Sequence, residues 1–260
     1  MTDVLVEDRV DGTVTLMLNR PDAYNAINPD LREALLDSLR RAESEGDRCI
    51  VLRGAGRGFC AGIDLKSGAG GISGHELMEY MRASTQAIVR AVLSCPIPIV
   101  TVVHGVCAGV ALVLALGADH CIAANDARFS APFVERALVP DGASIYLLPR
   151  VIGAARAKRF LFMGDDLTAP EALTAGMIGE VVAAEALDDA AGRRAAHLAD
   201  LPVAAFRYTK SMLLRSFDLD LESALFEERA GQAMMSSTPD YAEALAAFRE
   251  RRPPRFGAAD

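Results

Sequence analysis

The sequence shows no apolar signal core in its first residues and no apolar run long enough to span a membrane. Its first 12 residues, MTDVLVEDRVDG, are charged and contain no apolar signal core. Its longest apolar run, VCAGVALVLALGA, contains glycine and is too short to cross a bilayer. The formal net charge of -8 argues against a general nucleic-acid or membrane-surface binder. We therefore expect a globular cytoplasmic protein that binds neither nucleic acid nor membrane.

Cysteine and histidine are too few and too scattered to indicate a disulfide framework or a metal centre. The five cysteines include no C-x-x-C pair, and their number is odd. The four histidines show no spacing typical of metal ligands. We therefore expect reduced, buried thiols, no metal ion and no resident cofactor.

Strand-like and helix-like segments alternate over most of the chain. TVTLMLNRP, RCIVLRG and PIPIVTVVHG predict strands. NPDLREALLDSLRRAESEG predicts a helix with Asn28 as its N-cap and Pro29 at its first position. Near residue 200 this alternation gives way to helical periodicity alone. The order predicts an α/β core over residues 1–200 and a helical region over residues 201–260.

A glycine-rich stretch, GRGFCAGIDLKSG, follows one predicted strand. It lacks the signatures of a phosphate-binding loop and of a dinucleotide turn. Cys60 lies within it, but no histidine lies nearby in sequence to activate a cysteine nucleophile. A second turn, VHGVCAGVA, precedes an apolar helix whose first N–H groups lack partners within the helix. These residues alone leave two interpretations, tight turns or exposed backbone donors for a developing anion.

Five segments together resemble the crotonase family of acyl-CoA enzymes. They are NRPDAYNAI, GRGFCAGIDLK, VHGVCAGVA, LVPDGASIYLLPRVIGAARAK and AFRERRPPRFG, in that order along nearly the whole chain. The resemblance implies a crotonase-like spiral of ββα units with a C-terminal helical trimerisation region. It also implies a coenzyme A thioester as substrate and assembly as a homotrimer or hexamer.

The resemblance implies an oxyanion hole made of two backbone N–H groups, those of Ile63 and Val110. Hydratases of the family carry two glutamates, and the matching positions of this chain hold Val113 and Phe133. Asp141, in LVPDG, matches the aspartate that shuttles a proton in relatives that shift double bonds. The resemblance therefore favours an enoyl-CoA isomerase over a hydratase.

Two carboxylates have alternative interpretations that the sequence leaves open. Asp141 is expected to be the base, with its pKa raised in an apolar pocket, but it could instead cap the following helix. Glu135 is the reserve catalytic candidate, although a solvated position is the alternative. Two other functions stay open, a hydratase with an unusual acid–base pair and an acyl-CoA-binding protein without catalysis.

Further residues are assigned to substrate binding through the resemblance. Lys66 and Arg251 would contact phosphates of coenzyme A, Arg251 on a neighbouring subunit. Backbone from Ala23 to Ala26 would hold the adenine, and Asp64 would brace its own loop. The predicted substrate contacts are Ala23, Asn25, Ala26, Ala61, Ile63, Asp64, Leu65, Lys66, Gly109, Val110, Phe133 and Arg251.

Overall fold

Two β-sheets form the framework of the fold. The computed structural model describes residues 3–67 and 74–257. Within them, a six-stranded sheet has the order β1-β2-β3-β4-β6-β9, and a three-stranded sheet has the order β5-β7-β8. The strands are β1 (Leu5–Val10), β2 (Thr13–Leu18), β3 (Cys49–Gly54), β4 (Ile99–Val103), β5 (Val106–Ala108), β6 (His120–Ala124), β7 (Arg128–Ser130), β8 (Leu167–Thr168) and β9 (Glu180–Val182).

The large sheet is parallel except at one edge. There β1 pairs antiparallel with β2 through a tight turn at Asp11 and Gly12, whose φ values are 49° and 74°. An Asp-Gly pair with positive φ at both positions suits a two-residue hairpin. From β2 to β9, each neighbouring pair of the large sheet is parallel.

Helices connect the strands and then continue alone to the C-terminus. The α-helices are α1 (Pro29–Arg41), α2 (Gly74–Ala83), α3 (Thr85–Leu93), α4 (Ala111–Leu116), α5 (Ser144–Ile152), α6 (Ala154–Met163), α7 (Ala169–Thr174), α8 (Leu187–Ala199), α9 (Val203–Arg215), α10 (Leu221–Met235) and α11 (Pro239–Glu250). The succession β4, β5, α4 is one ββα unit of the predicted spiral.

The predicted start of α1 is confirmed. The Asn28 side chain accepts a hydrogen bond of 2.9 Å from the Leu31 N–H, and Pro29 is the first helical residue. The stretch ELMEYMRASTQAIVRAVL is helical but divides into α2 and α3 at Ser84, whose φ of -106° and ψ of -95° are not helical.

The large sheet separates two apolar clusters, because successive strand residues point to opposite faces. Ile50 and Leu52 of β3 pack in the larger cluster, with α1, α3 and α4. Cys49 and Val51 pack in the smaller cluster, which α8 covers. This burial on both faces explains why the central strands are continuous apolar runs.

Helices α9 to α11 contribute little to either core. Among their residues only Gly231 and Ala247 are buried, whereas Phe217, which follows α9, and Phe248 are largely exposed. A half-buried ion pair of 2.8 Å between Lys210 and Asp119 joins α9 to the sheet. The helical character expected from residue 201 is therefore present through α11, and its role in oligomerisation remains a prediction. No helix within residues 3–67 and 74–257 is long and apolar enough to cross a bilayer.

Two helical glycines provide a matched test of this packing. An ideal Cβ on Gly231 would lie 2.4 Å from Cε1 of Tyr208, whereas one on Gly192 meets nothing within 4 Å. Gly231→Ala should lower the free energy of unfolding by about 1–3 kcal/mol, because the Tyr208 ring must move. Gly192→Ala should raise it by about 0.5–1 kcal/mol through helix propensity. Chemical denaturation at one protein concentration measures both, and changes of equal sign would contradict this packing.

Candidate active site

The two glycine turns singled out in the sequence run side by side. Residues 60–63 and 107–110 read Cys-Ala-Gly-Ile and Cys-Ala-Gly-Val, and a parallel bridge joins Cys60 to Cys107. The Cys60 N–H donates to the Val106 carbonyl, and the Ala108 N–H donates to the Cys60 carbonyl, each over 3.0 Å. The two turns are therefore hydrogen-bonded in register, so that equivalent residues of the two turns lie side by side.

The backbone N–H groups of Ile63 and Val110 follow these turns directly. Gly62 and Gly109 precede them with φ values of 94° and 60°, a region that favours glycine. An ideal Cβ on Gly62 would lie only 3.6 Å from the Gly109 Cα, so the two turns are in contact. Within the described residues, neither N–H donates to a backbone or side-chain acceptor. Two unused donors thus arise from adjacent turns, as an oxyanion hole requires.

A cavity of about 80 Å³ adjoins both turns. It includes the predicted residues Ala61, Ile63, Leu65, Gly109, Val110, Phe133 and Asp141, and also Gly62, Ala108, Pro132, Arg136 and Leu138. Larger cavities of about 680, 710 and 820 Å³ occur elsewhere, two of them beside α9. None of these three adjoins the paired turns, so the small cavity is the better candidate for chemistry.

Asp141 is the one carboxylate among the described residues that line this cavity. Burial raises its pKa, and a long hydrogen bond of 3.4 Å from the Thr85 hydroxyl to Oδ2 partly opposes that rise. Its Oδ1 is buried and has no partner within the described residues. The side chain makes no cap bond to α5, because Ala143 occupies the N-cap position. The alternative interpretation of Asp141 as a helix cap is therefore wrong.

The reserve candidate Glu135 does not reach the cavity. It lies in a 3₁₀ turn, Val134–Arg136, where residues three apart share a face. Phe133 and Arg136 consequently line the cavity, while the Glu135 carboxylate lies against Gly164 at the end of α6. The proposed catalytic role of Glu135 thus has no geometric basis in this chain. The sequence did not single out Arg136, because its place in the cavity wall depends on which residues of this 3₁₀ turn face the cavity.

Asn25 is a structural residue and a correction to the predicted contacts. Its side chain is 0 % exposed. Its amide donates to the carbonyls of Ala55, Gly58 and Phe59 over 2.8, 2.9 and 3.1 Å, and its oxygen accepts from the Arg20 N–H. The side chain therefore holds the glycine-rich loop and leaves no surface for a ligand.

Asp64 braces the same region, as its sequence context suggests. Burial would raise its pKa, but an ion pair of 3.0 Å with Arg20 and a bond from the Lys66 N–H hold the pKa below its usual value. Asp64 is thus a charged anchor for the loop and a poor proton acceptor near neutrality.

The remaining predicted contacts lie outside the cavity. Ala23 and Ala26 are half-buried beside the glycine-rich loop, where the Ala61 N–H donates to the Tyr24 carbonyl over 3.0 Å. Lys66 is exposed on the same loop, and Arg251 is exposed just after α11. Their contacts with coenzyme A stay predictions.

Cys60 is not a nucleophile in this arrangement. The thiol is fully buried and donates to the Asn25 carbonyl over 3.2 Å. Burial raises its pKa to about 12, so the reactive thiolate is scarce near neutral pH. The glycine-rich loop therefore offers backbone donors and no reactive side chain.

Comparison with known proteins agrees with this geometry. The family described as "Enoyl-CoA hydratase/isomerase" matches residues 9–259. The chain belongs to the enoyl-CoA hydratase/isomerase family. This confirms the crotonase resemblance drawn from the five segments. Members of the enoyl-CoA hydratase/isomerase family act on acyl-CoA substrates.

Individual relatives carry names of both activities within the enoyl-CoA hydratase/isomerase family. A "Probable enoyl-CoA hydratase" from Rhodobacter capsulatus is 37% identical over 95% of each chain. The 1,2-epoxyphenylacetyl-CoA isomerase of Escherichia coli is 36% identical over 98% of this chain and 99% of its own. A crystal structure from Streptomyces coelicolor A3(2), itself only provisionally assigned as an enoyl-CoA hydratase, has a TM-score of 0.92 and 38% identity over 98% of this chain and 94% of that one. The predicted crotonase-like fold is confirmed.

The paired turns predict different effects for two glycine substitutions. An ideal Cβ on Gly62 would lie 2.8 Å from the Ala108 carbonyl oxygen, whereas one on Gly109 meets nothing nearer than 3.8 Å. Gly62→Ala should lower the free energy of unfolding by about 2–5 kcal/mol, through overpacking and a left-handed backbone. Gly109→Ala should cost about 1–2 kcal/mol, from the backbone alone. Chemical denaturation distinguishes them, and equal losses would argue against the close contact of the turns.

Because the carboxyl of Asp141 is buried, we expect its replacement by a neutral group to stabilise the folded protein. Because its pKa is raised in the folded protein, the folded state holds more protons than the unfolded state, and stability falls as pH rises through the folded pKa. Asp141→Asn abolishes this loss, so its thermal midpoint should exceed that of wild type by more at about pH 8 than at about pH 4, close to the ordinary pKa of an aspartate. Calorimetry at the two pH values measures the difference. A constant difference would show that the carboxyl titrates normally.

Proposed function

We propose that this protein is an enoyl-CoA isomerase in which Asp141 moves a proton along the acyl chain. The observation that carries the proposal is the cavity itself. It joins one desolvated carboxyl to two unused backbone N–H groups, those of Ile63 and Val110. A carboxyl with a raised pKa is a suitable base near neutrality.

The reaction begins when the thioester carbonyl oxygen of a 3-enoyl-CoA accepts hydrogen bonds from the two N–H groups. The Asp141 carboxylate then removes a proton from C2, and the C–H electron pair moves into a dienolate whose charge lies on the thioester oxygen. Each backbone donor contributes on the order of 3 kcal/mol to such an anion in other enzymes. Protonated Asp141 returns the proton to C4, which forms the conjugated 2-enoyl-CoA and regenerates the carboxylate. No metal or resident cofactor takes part in these steps.

Two apolar residues oppose hydration as the main reaction. Addition of water needs one group to orient the water and another to deliver a proton. The positions of the family's two glutamates hold Val113, 1% exposed inside α4, and Phe133 in the cavity wall. Asp141 therefore has no second carboxylate beside it among the described cavity residues. The isomerase among the named relatives is consistent with this proposal.

The proposal extends to coenzyme A and to assembly. Lys66, exposed on the loop after Ile63, would contact a phosphate, and the backbone of Ala23 and Ala26, beside that loop, would hold the adenine. Arg251 would act from a neighbouring subunit. The exposed apolar side chains of α9 to α11 support a homotrimer or hexamer, which we place in the cytoplasm.

Asp141→Asn tests the proposal against Glu135→Gln as its matched control. With a 3-enoyl-CoA, wild type should develop the absorbance of the conjugated thioester. Asp141→Asn should lower kcat by about 10²–10⁴-fold, because the proton acceptor is lost, with the affinity for the CoA ester nearly unchanged. Glu135→Gln should retain wild-type turnover, since its carboxylate lies against Gly164.

Three outcomes distinguish the candidate functions. Wild type that consumes a 2-enoyl-CoA and yields the hydroxyacyl product would be a hydratase. An inert protein that binds CoA esters in calorimetry would be an acyl-CoA-binding protein. Full activity of Asp141→Asn would show that another group is the base. With a substrate deuterated at C2, transfer of label to C4 would support a single shuttling carboxyl.

A further inference from the structure

Thr85 is a buried threonine whose hydroxyl contacts the carboxyl of Asp141. We propose that Thr85 is a positioning residue that holds Oδ2 of Asp141 and so leaves Oδ1 as the oxygen that takes and returns the proton. This inference rests on the proposed role of Asp141 as base.

The placement of Thr85 supports this role. It is the first residue of α3, is 3% exposed, and its Oγ1 lies 3.4 Å from Oδ2 of Asp141. Helix α3 packs against α1, α2 and α4, so the hydroxyl is supplied by a fixed element of the core. No other side chain within residues 3–67 and 74–257 donates to this carboxyl.

The two carboxyl oxygens of Asp141 have different environments. Oδ2 accepts from Thr85, whereas Oδ1 is buried and has no partner in the described part of the chain. A donor fixed on Oδ2 stabilises the negative charge and restricts rotation of the carboxyl. The proton therefore adds to Oδ1. The present distance is long for an O–H···O bond, and such bonds often shorten only when substrate binds.

The hydrogen bond also limits the effect of burial on Asp141. Burial raises the pKa of Asp141, and the bond from Thr85 lowers it. The other charged side chain that lines the same cavity among the described residues is Arg136. Because Arg136 is present in every variant below, a change in the pH profile reports the loss of the hydroxyl alone.

Thr85→Val tests the inference, because valine keeps the branched shape and removes the donor. We expect the acidic limb of kcat/KM to move up by about one pH unit, since the carboxylate loses a stabilising donor. We also expect kcat to fall about tenfold with KM nearly unchanged, because orientation of the base is lost. Thr85→Ser should restore both within about threefold, as it returns the hydroxyl.

Ser84→Ala is the matched control. The Ser84 hydroxyl is buried next to Thr85 but donates to the Tyr80 carbonyl over 2.7 Å. Its removal should lower the thermal midpoint without moving the pH profile. If Thr85→Val does not fold, Thr85→Ala with the same serine rescue provides the measurement.

A pH profile of Thr85→Val that superimposes on wild type would overturn the inference, as would failure of Thr85→Ser to rescue. These results are distinguishable from failure of the proposed function. If Asp141→Asn retains activity, the base is wrong whatever Thr85 does. If Asp141→Asn is inactive while Thr85→Val is unchanged, only the positioning role fails.

Discussion

The in-register pairing of the two glycine turns is the constraint on which the site depends. Hydrogen bonds between residues 60 and 106–108 fix the turns against each other, and Gly62 and Gly109 permit the left-handed backbone that follows. The amide donors of Ile63 and Val110 are then placed by strands and not by side-chain rotamers. The Asn25 side-chain amide donates to the Gly58 carbonyl and so holds the glycine-rich loop in place. In the proposed mechanism, this rigid backbone is already arranged to stabilise negative charge before a ligand binds.

Within this rigid backbone, the buried carboxyl of Asp141 is energetically unfavourable for the folded protein. A carboxyl buried among apolar side chains lowers the stability of the charged folded state. The same desolvation raises its pKa and makes it a better base. In the proposed mechanism, Asp141 therefore illustrates the conflict between stability and activity that is common at catalytic sites. The hydroxyl of Thr85 moderates this conflict from a neighbouring helix.

Sequence reasoning succeeded where the signal was local or periodic. The apolar strands β3 and β4, the cap of α1 and the C-terminal helices follow from burial periodicity and end signals. Strand β1 was missed because LVEDRV is a charged edge strand with three exposed residues. In the site, the two turns and Asp141 followed from motifs. Thr85 lies 56 residues from Asp141, so no local sequence pattern joins them. Whether the Glu135 side chain faces the cavity depends on the orientation of one 3₁₀ turn, which the sequence does not reveal.

The proposed use of the main chain for the anion donors has an evolutionary consequence. Every residue except proline carries the same amide, so nearly any codon change at positions 63 and 110 preserves those donors. Side chains there are free to reshape the wall of the cavity, which both Ile63 and Val110 line. New acyl selectivities can thus arise by drift at these two positions without passing through an inactive intermediate.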